Sequence, residues 1–277
     1  MTSAAFSGVV FGVSALAGCL GALTGLGGGV VVTPVLSSFL GVDLRFAIGA
    51  SLVSVIATSS GAAAAYVREG FSNIRAGMFL EIATTLGAVA GAHLTTLLPG
   101  PVLAIIFGAV LLYSAWHSFH VRREIPAEQS DPLAIRLRLE SNYPGREGMV
   151  NYKVARVRGG FSLMFVAGLL SGLLGIGSGA MKVIAMDQVM RFPFKVSTTT
   201  SNFMIGVTAA ASAGIYLSRG YIDPGVAMPV MLGVLTGSFV GARLLVVSRT
   251  RMLRIIFAGV VGLLAFEMLY SGVRGRF

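Results

Sequence analysis

Three consecutive glycines, Gly27 to Gly29, stand inside an apolar stretch, Leu23 to Leu36 (LTGLGGGVVVTPVL). Glycine weakens a helix interior, so an uninterrupted membrane helix gains nothing from such a run. The run reads as a break at which the backbone leaves one helix and starts another. Within a bilayer, unwound backbone is tolerated only where it is buried in protein or lines a cavity. A second copy, LLGIGSGAMKVIAM, occupies Leu173 to Met186. Gly25, Gly27 and Gly29 align with Gly175, Gly177 and Gly179 at an offset of 150 residues.

The offset holds without a gap along the chain. Ser51 matches Ser201, Thr58 matches Thr208, Tyr66 matches Tyr216, and Gly87 and Gly91 match Gly237 and Gly241. Of the 277 residues, 55% are hydrophobic and 12% charged, roughly half the charge of a soluble domain. The expected fold is therefore all-α and polytopic, with two homologous repeats, each a broken-helix hairpin plus three transmembrane helices. The first repeat covers 1–120. It has a helix from about Ala4 to Leu23, a break at Gly25–Gly29, a short helix to about Leu40, and spans near 46–67, 76–98 and 101–120. A polar connection follows over 121–158. The second repeat, 159–277, has a helix at about 159–174, a break at Gly175–Gly179, a short helix to Met190, and spans near 196–218, 224–247 and 254–272.

The net charge of +10 does not indicate nucleic acid, because the basic residues sit between apolar spans in the manner of topology signals. The connection carries Arg122, Arg123, Arg136, Arg138, Arg146, Lys153, Arg156 and Arg158. The positive-inside rule makes it cytoplasmic. A hairpin that enters and leaves on one side, followed by three spans, gives each half an odd number of crossings, so the two repeats are expected to be inverted with both termini periplasmic. No basic residue precedes the first apolar run, so that run reads as a retained helix rather than a secretory signal. Ile135 to Glu140 alternates apolar and charged residues, a short-strand pattern within a solvated linker.

At a helix restart, free backbone N–H groups and the positive dipole end face the gap, a place for an anion. The candidate binding residues are therefore Thr24, Gly27, Gly28, Gly29, Gly177, Ser178 and Gly179. Lys182 follows the second break by three residues; it either faces a cavity or snorkels to an interface. Its counterpart is Val32. The polar run Ser197 to Asn202 contributes Thr199, Ser201 and Asn202, with Ser51 from the first half. These groups either cap a helix or line an anion path. Glu81, His93 and Arg243 are candidates for gating or coupling, and Glu267 is a further ionisable residue near a span. The motifs of metalloprotease, serine-hydrolase and phosphate-loop enzymes are absent. The chain is not expected to be an enzyme, and no cofactor or metal is expected: His93, His117 and His120 are scattered, and Cys19 is the single cysteine.

The run LTGLGGGVVVTPVL with Gly21 just upstream, the downstream AIGASL at Ala47–Leu52 and the second-half GLLGIGSGAMKV carry a resemblance to the sulfite exporter TauE/SafE family over about 8–272. The second copy departs from the first in having Ser178 at the middle glycine and Ile184 where Pro34 stands. The resemblance implies export of small organosulfur or sulfur oxyanions, such as sulfite or sulfoacetate, across the bacterial inner membrane. Two readings follow: a secondary transporter working by alternating access between its repeats, or an anion channel that uses the same glycine-break site as a filter. The expected partners are a small anionic substrate and the lipid bilayer, with no nucleic acid; a homodimer is left open.

Overall fold

The computed structural model describes residues 3–24, 28–68, 71–119, 127–145, 148–247 and 250–275. Helix α1 (Ser3–Thr24) precedes the first break, and α2 (Gly29–Pro34) opens after it and widens into a π-helical turn, Val35–Phe39. Then come α3 (Leu44–Arg68), α4 (Ile74–Leu94) and α5 (Gly100–Phe119). The connection holds α6 (Pro132–Arg136) and an antiparallel hairpin, β1 (Ser141–Gly145) with β2 (Gly148–Tyr152). Helix α7 (Val157–Leu174) leads to the second break. It is followed by α8 (Gly179–Ile184), a second π-helical turn at Ala185–Val189, α9 (Phe194–Ser218), α10 (Pro224–Val247) and α11 (Thr250–Val273). The starts of α2, α3, α4, α5 and their π turn recur 150 residues later in α8, α9, α10, α11 and theirs.

Among the described residues, Ile74–Leu94, Val157–Leu174 and Pro224–Gly241 are long and apolar enough to cross a membrane, and shorter apolar helices surround them. The surface agrees with that reading. Leu16, Leu86, Phe239, Leu263 and Phe266 point outward, whereas Ser51, Thr84, Ser171, Thr200, Ser201, Thr208 and Ser212 are buried. Apolar side chains exposed over so many helices would be a liability in water. In hydrocarbon they are simply solvated, and the polar groups turn inward to find partners. The protein is a mostly helical membrane protein.

Close packing through small residues joins helices from opposite ends of the sequence. Helix α1 packs along α10, and α4 along α7. At Gly87 and Gly91 of α4, and at Gly168 and Gly172 of α7, a Cβ would run into backbone of the facing helix. Gly18 of α1 and Gly233 and Gly237 of α10 are equally tight against each other's helix. This is the small-residue packing by which membrane helices bring backbones together. In each pair the contacts advance together, Gly87 with Phe165 and Gly91 with Leu169, Gly233 with Phe11 and Gly237 with Ala15, so the paired helices run parallel. Helices α3 and α9 run antiparallel, with Gly49 against Tyr221 and Ser59 against Gly206.

The alternating segment Ile135–Glu140 is not a strand. Asp131 caps α6, accepting from Leu133 N at 2.9 Å, with Pro132 in the first turn where no N–H is needed. The strands lie further on. Nor is the connection merely a solvated linker. Ala134, Leu139 and Val154 are buried against Ala76, Leu80, Met190 and Val196. Asp131 Oδ2 accepts from Val157 N at 2.9 Å, tying α6 to the first residue of α7. Asn73 caps α4, accepting from Ala76 N, and donates through Nδ2 to Leu139 O and to the Tyr152 hydroxyl, both at 2.7 Å. The hairpin is therefore docked on the ends of α4 and α9. Burial pushes the Tyr152 phenol up to about 12, against a smaller opposing effect of its hydrogen bonds from Asn73 and Ser141.

Candidate functional site

The two breaks are neighbours across α3. The Ser51 hydroxyl donates to Gly175 O at 2.8 Å. A Cβ on Gly29 would lie 2.5 Å from Ser51 Oγ and 3.1 Å from Gly175 O. Val55, one turn further along α3, would meet a Cβ on Gly29 and one on Gly177. Ser201, the counterpart of Ser51, donates to Gly179 O at 3.3 Å. Both matched serines thus serve carbonyls at the second break. Gly175 O is among the carbonyls left without a helical partner where α7 stops, whereas Gly179 O belongs to the first residue of α8.

The backbone of the two breaks is not alike. Gly175, Gly177 and Ser178 all have positive φ, at 69°, 68° and 45°, whereas Gly28, the counterpart of Ser178, is right-handed at φ −67°. The middle position that carries a side chain is therefore the one in the left-handed region, a conformation uncommon for a non-glycine residue. The Ser178 hydroxyl is buried and has no hydrogen-bond partner among the described residues. Gly27 and the side chain of Thr24 lie outside the described residues, as does the side chain of Arg243.

Lys182, in α8, has a relative exposure of 0%, so it does not snorkel. Its Nζ donates to Thr208 Oγ1 of α9 and lies 3.9 Å from Glu81 Oε2 of α4. The Thr208 hydroxyl is 2.6 Å from Glu81 Oε1 and 2.9 Å from Met204 O, and its single proton can go to either. Thr85 donates to Glu81 Oε1 at 3.3 Å. Three helices thus bring an acid, a base and a hydroxyl together beside the second break. Charges inside a membrane protein are costly and are found facing partners or a cavity. Here the partners are one another. The first half has Val32 and Thr58 at the positions of Lys182 and Thr208, and Val32 is buried among apolar residues, so the site is charged on one side only.

The other candidates lie elsewhere. The Thr199 hydroxyl is 3.0 Å from Lys195 O at the start of α9 and 3.1 Å from Phe71 O, near the docked connection, and its proton can go to either. Asn202 is buried one turn beyond it. The polar run does not cap α9, whose N-cap is Pro193. His93 is exposed near the end of α4, its Nδ1 2.9 Å from Val89 O. Glu267 is half-buried in α11 and accepts from Ser271 at 2.8 Å. No group of three metal-ligating side chains occurs among the described residues.

Two contributors are not singled out by sequence reasoning. One is Thr208, marked in the sequence only by its match to Thr58. The other is Tyr216, whose hydroxyl lies 3.0 Å from Thr95 Oγ1, 3.1 Å from Gly172 O and 3.4 Å from Leu173 O. Its single proton can go to either carbonyl near the end of α7, and the Thr95 hydroxyl also reaches Leu173 O, at 3.2 Å. The match of Tyr66 with Tyr216 is the available signal.

Similarity to known proteins sets this helical membrane protein among the membrane transporters. Residues 10–268 match the model of the sulfite exporter TauE/SafE family, and the chain belongs to that family. It is 27% identical over 265 residues to the probable membrane transporter protein YunE of Bacillus subtilis, covering 93% of this chain and 95% of that protein. It is 26% identical to the probable membrane transporter protein YdhB of the same organism, over 82% of this chain and 86% of the relative. A probable membrane transporter protein of Xylella fastidiosa is 24% identical, over 85% and 84%. No solved structure matches the chain significantly.

Proposed function

We propose that this protein is a multi-pass secondary transporter of the bacterial inner membrane that exports a small organosulfur or sulfur oxyanion, such as sulfite or sulfoacetate. It works by alternating access between two inverted repeats, 1–120 and 159–277, joined by a cytoplasmic connection. The observation that carries this reading is the meeting of both helix breaks around α3 next to the fully buried Lys182. Discontinuous helices at the interface of two repeats are where transporters of inverted-repeat type hold substrate. The antiparallel run of α3 and α9 supports the inversion, since each follows one of the two short helices. The anion would be held by backbone N–H groups at Gly27–Gly29 and Gly177–Gly179, by Lys182 Nζ, and by the Ser178 hydroxyl. The family's description as sulfite exporters supports the substrate class and the direction.

The test is flux in proteoliposomes loaded with sulfite, sulfoacetate or sulfate. A carrier gives saturable efflux, and an unlabelled anion on the far side accelerates labelled efflux by counterflow. Efflux that rises linearly with concentration and shows no counterflow overturns the carrier reading.

A further inference from the structure

Glu81 and Lys182 are close without being hydrogen-bonded to each other. Lys182 Nζ donates to Thr208, and the hydroxyls of Thr208 and Thr85 lie within hydrogen-bond reach of Glu81 Oε1. Glu81 Oε2 is buried, has no hydrogen-bond partner among the described residues, and lies 3.9 Å from the ammonium. One carboxylate oxygen thus faces the cation across a gap. In a buried site a carboxylate persists while a positive charge stands beside it; deprived of that charge, it takes up a proton. An anion bound at Lys182 would neutralise the cation and place a second negative charge next to Oε2.

Among the described residues, few groups face Glu81. From α8 there is Lys182, from α9 Thr208, and from its own helix Thr85. Helix α7 packs on this stretch of α4 through Gly168 against Thr84, and its ionisable residue, Arg158, is exposed at the far end. On α9, Lys195 lies over the Phe71 ring and Tyr216 is bonded near Thr95, both turned elsewhere. Asp187, in the π turn beyond α8, is half-buried. Among the described residues, Glu81 and Lys182 are the acid and the base that face each other at this site.

We propose that Glu81 is the proton-binding residue of this transporter and that one proton moves with each anion, in the same direction. This rests on the transport reading above. In the empty form the Glu81 carboxylate balances Lys182. In the loaded form the anion balances Lys182 and Glu81 is a neutral carboxylic acid, its proton on Oε2. The proton enters from water on the side to which the pocket is open and leaves with the anion on the other. For a singly charged anion both forms carry no net charge at the site, and for a doubly charged one the proton on Glu81 lowers the surplus from two negative charges to one, so the proton limits the unpaired charge in a low-dielectric interior. A proton and an anion that assist each other's binding do so reciprocally.

The experiment uses the full-length protein in vesicles containing a pH-sensitive dye, with outward gradients of sulfoacetate, sulfate or sulfite imposed at equal pH. Sulfoacetate and sulfate stay doubly charged across pH 6 to 8, so they bring no exchangeable proton of their own. The wild-type protein is expected to raise the pH of the dye-containing lumen, which loses one proton per anion moved. The half-saturating anion concentration is expected to rise with pH, by roughly tenfold per unit at full linkage. Glu81→Gln is expected to abolish both the proton movement and the pH dependence. Glu81→Asp, which keeps a titrating group, is expected to restore coupling. Anion movement by the wild type without proton movement overturns the proposal, as does a Glu81→Gln protein that still carries one proton per anion. Loss of all flux in both Glu81→Gln and Glu81→Asp also overturns it, since a structural role alone would explain that. Absence of wild-type flux with every anion instead overturns the transport reading itself.

Discussion

The Ser51 hydroxyl donates to the carbonyl of Gly175 at 2.8 Å, so a helix of the first half satisfies the backbone at the break of the second. Gly29 stands against that hydrogen bond. A methyl there would overlap Ser51 Oγ and press on Gly175 O. Gly29→Ala is therefore expected to displace Ser51, uncover the Gly175 carbonyl, and cost about 1–3 kcal/mol for the buried acceptor left unpaired. Gly28→Ser is expected to do far less. Its backbone is right-handed and its Cβ would meet the movable Val234 Cγ1 at 2.9 Å. Gly177→Ala should cost on the order of 1 kcal/mol or more through its positive φ. Detergent unfolding and vesicle flux on the three variants check this order; Gly28→Ser as the worst of the three would refute it.

Lys182 and Glu81 predict a non-additive pair. Lys182→Met removes the cation beside the buried Glu81 carboxylate, which must then take up a proton or stay unpaired, and is expected to destabilise the protein by up to roughly 3–5 kcal/mol. The double variant Lys182→Met/Glu81→Gln should recover most of that loss while still failing to bind anion. Thermal unfolding gives the coupling energy, and a thermal-shift titration with sulfoacetate gives the binding. Independent, additive losses would mean that the 3.9 Å approach is energetically idle.

Tyr216→Phe removes a hydroxyl shared by Thr95, Gly172 and Leu173. The expected loss is about 1–3 kcal/mol, with transport reduced because the last turn of α7 precedes the break. Hydrogen exchange at Leu174 to Gly177 should accelerate in the variant and stay unchanged in α11. Uniform acceleration in both regions would deny Tyr216 a local role.

Tyr152 predicts an alkaline limit for the docked connection. Burial raises its folded-state value to about 12 from the ordinary 10. The neutral phenol therefore contributes stability that is complete below pH 10 and is lost as the pH rises through 12. Protease cleavage of the connection is expected to rise over that window in the wild type. In Tyr152→Phe, which also loses the Asn73 bond, cleavage should be faster at neutral pH and flat above about pH 10.

Topology is checked by single cysteines in a Cys19→Ala background. Gln129, exposed in the connection, should react only with a permeant reagent in intact cells, and Arg274, exposed after α11, with an impermeant one. Labelling of both from the same side would refute the inverted arrangement.

Much of the helical plan was legible because glycine runs and apolar spans obey one-dimensional rules. A helix interior rejects Gly27–Gly29, and the offset of 150 then located Gly175–Gly179. Lys182 was legible as an expensive charge near a break. Glu81 stood out as a candidate for coupling, but its pairing with Lys182 was not legible, because the two lie in different helices and nothing in spacing says which α4 face meets α8. The two had in common only that an acid and a base in apolar surroundings need each other. The connection misled for a different reason. Its alternating Ile135–Glu140 carries a strand period, but Asp131 and Pro132 just upstream start a helix turn that overrides it.

The packing of α1 on α10 and of α4 on α7 has a consequence for how the chain is made. When α1 enters the bilayer, the helix that fits its glycine face has not yet been synthesised, and it stays unmatched until α10 follows. Neither half can settle alone. A gene split within the connection is therefore expected to yield two products that are degraded when expressed singly and that persist when expressed together, because assembly becomes irreversible only once the last helices are inserted.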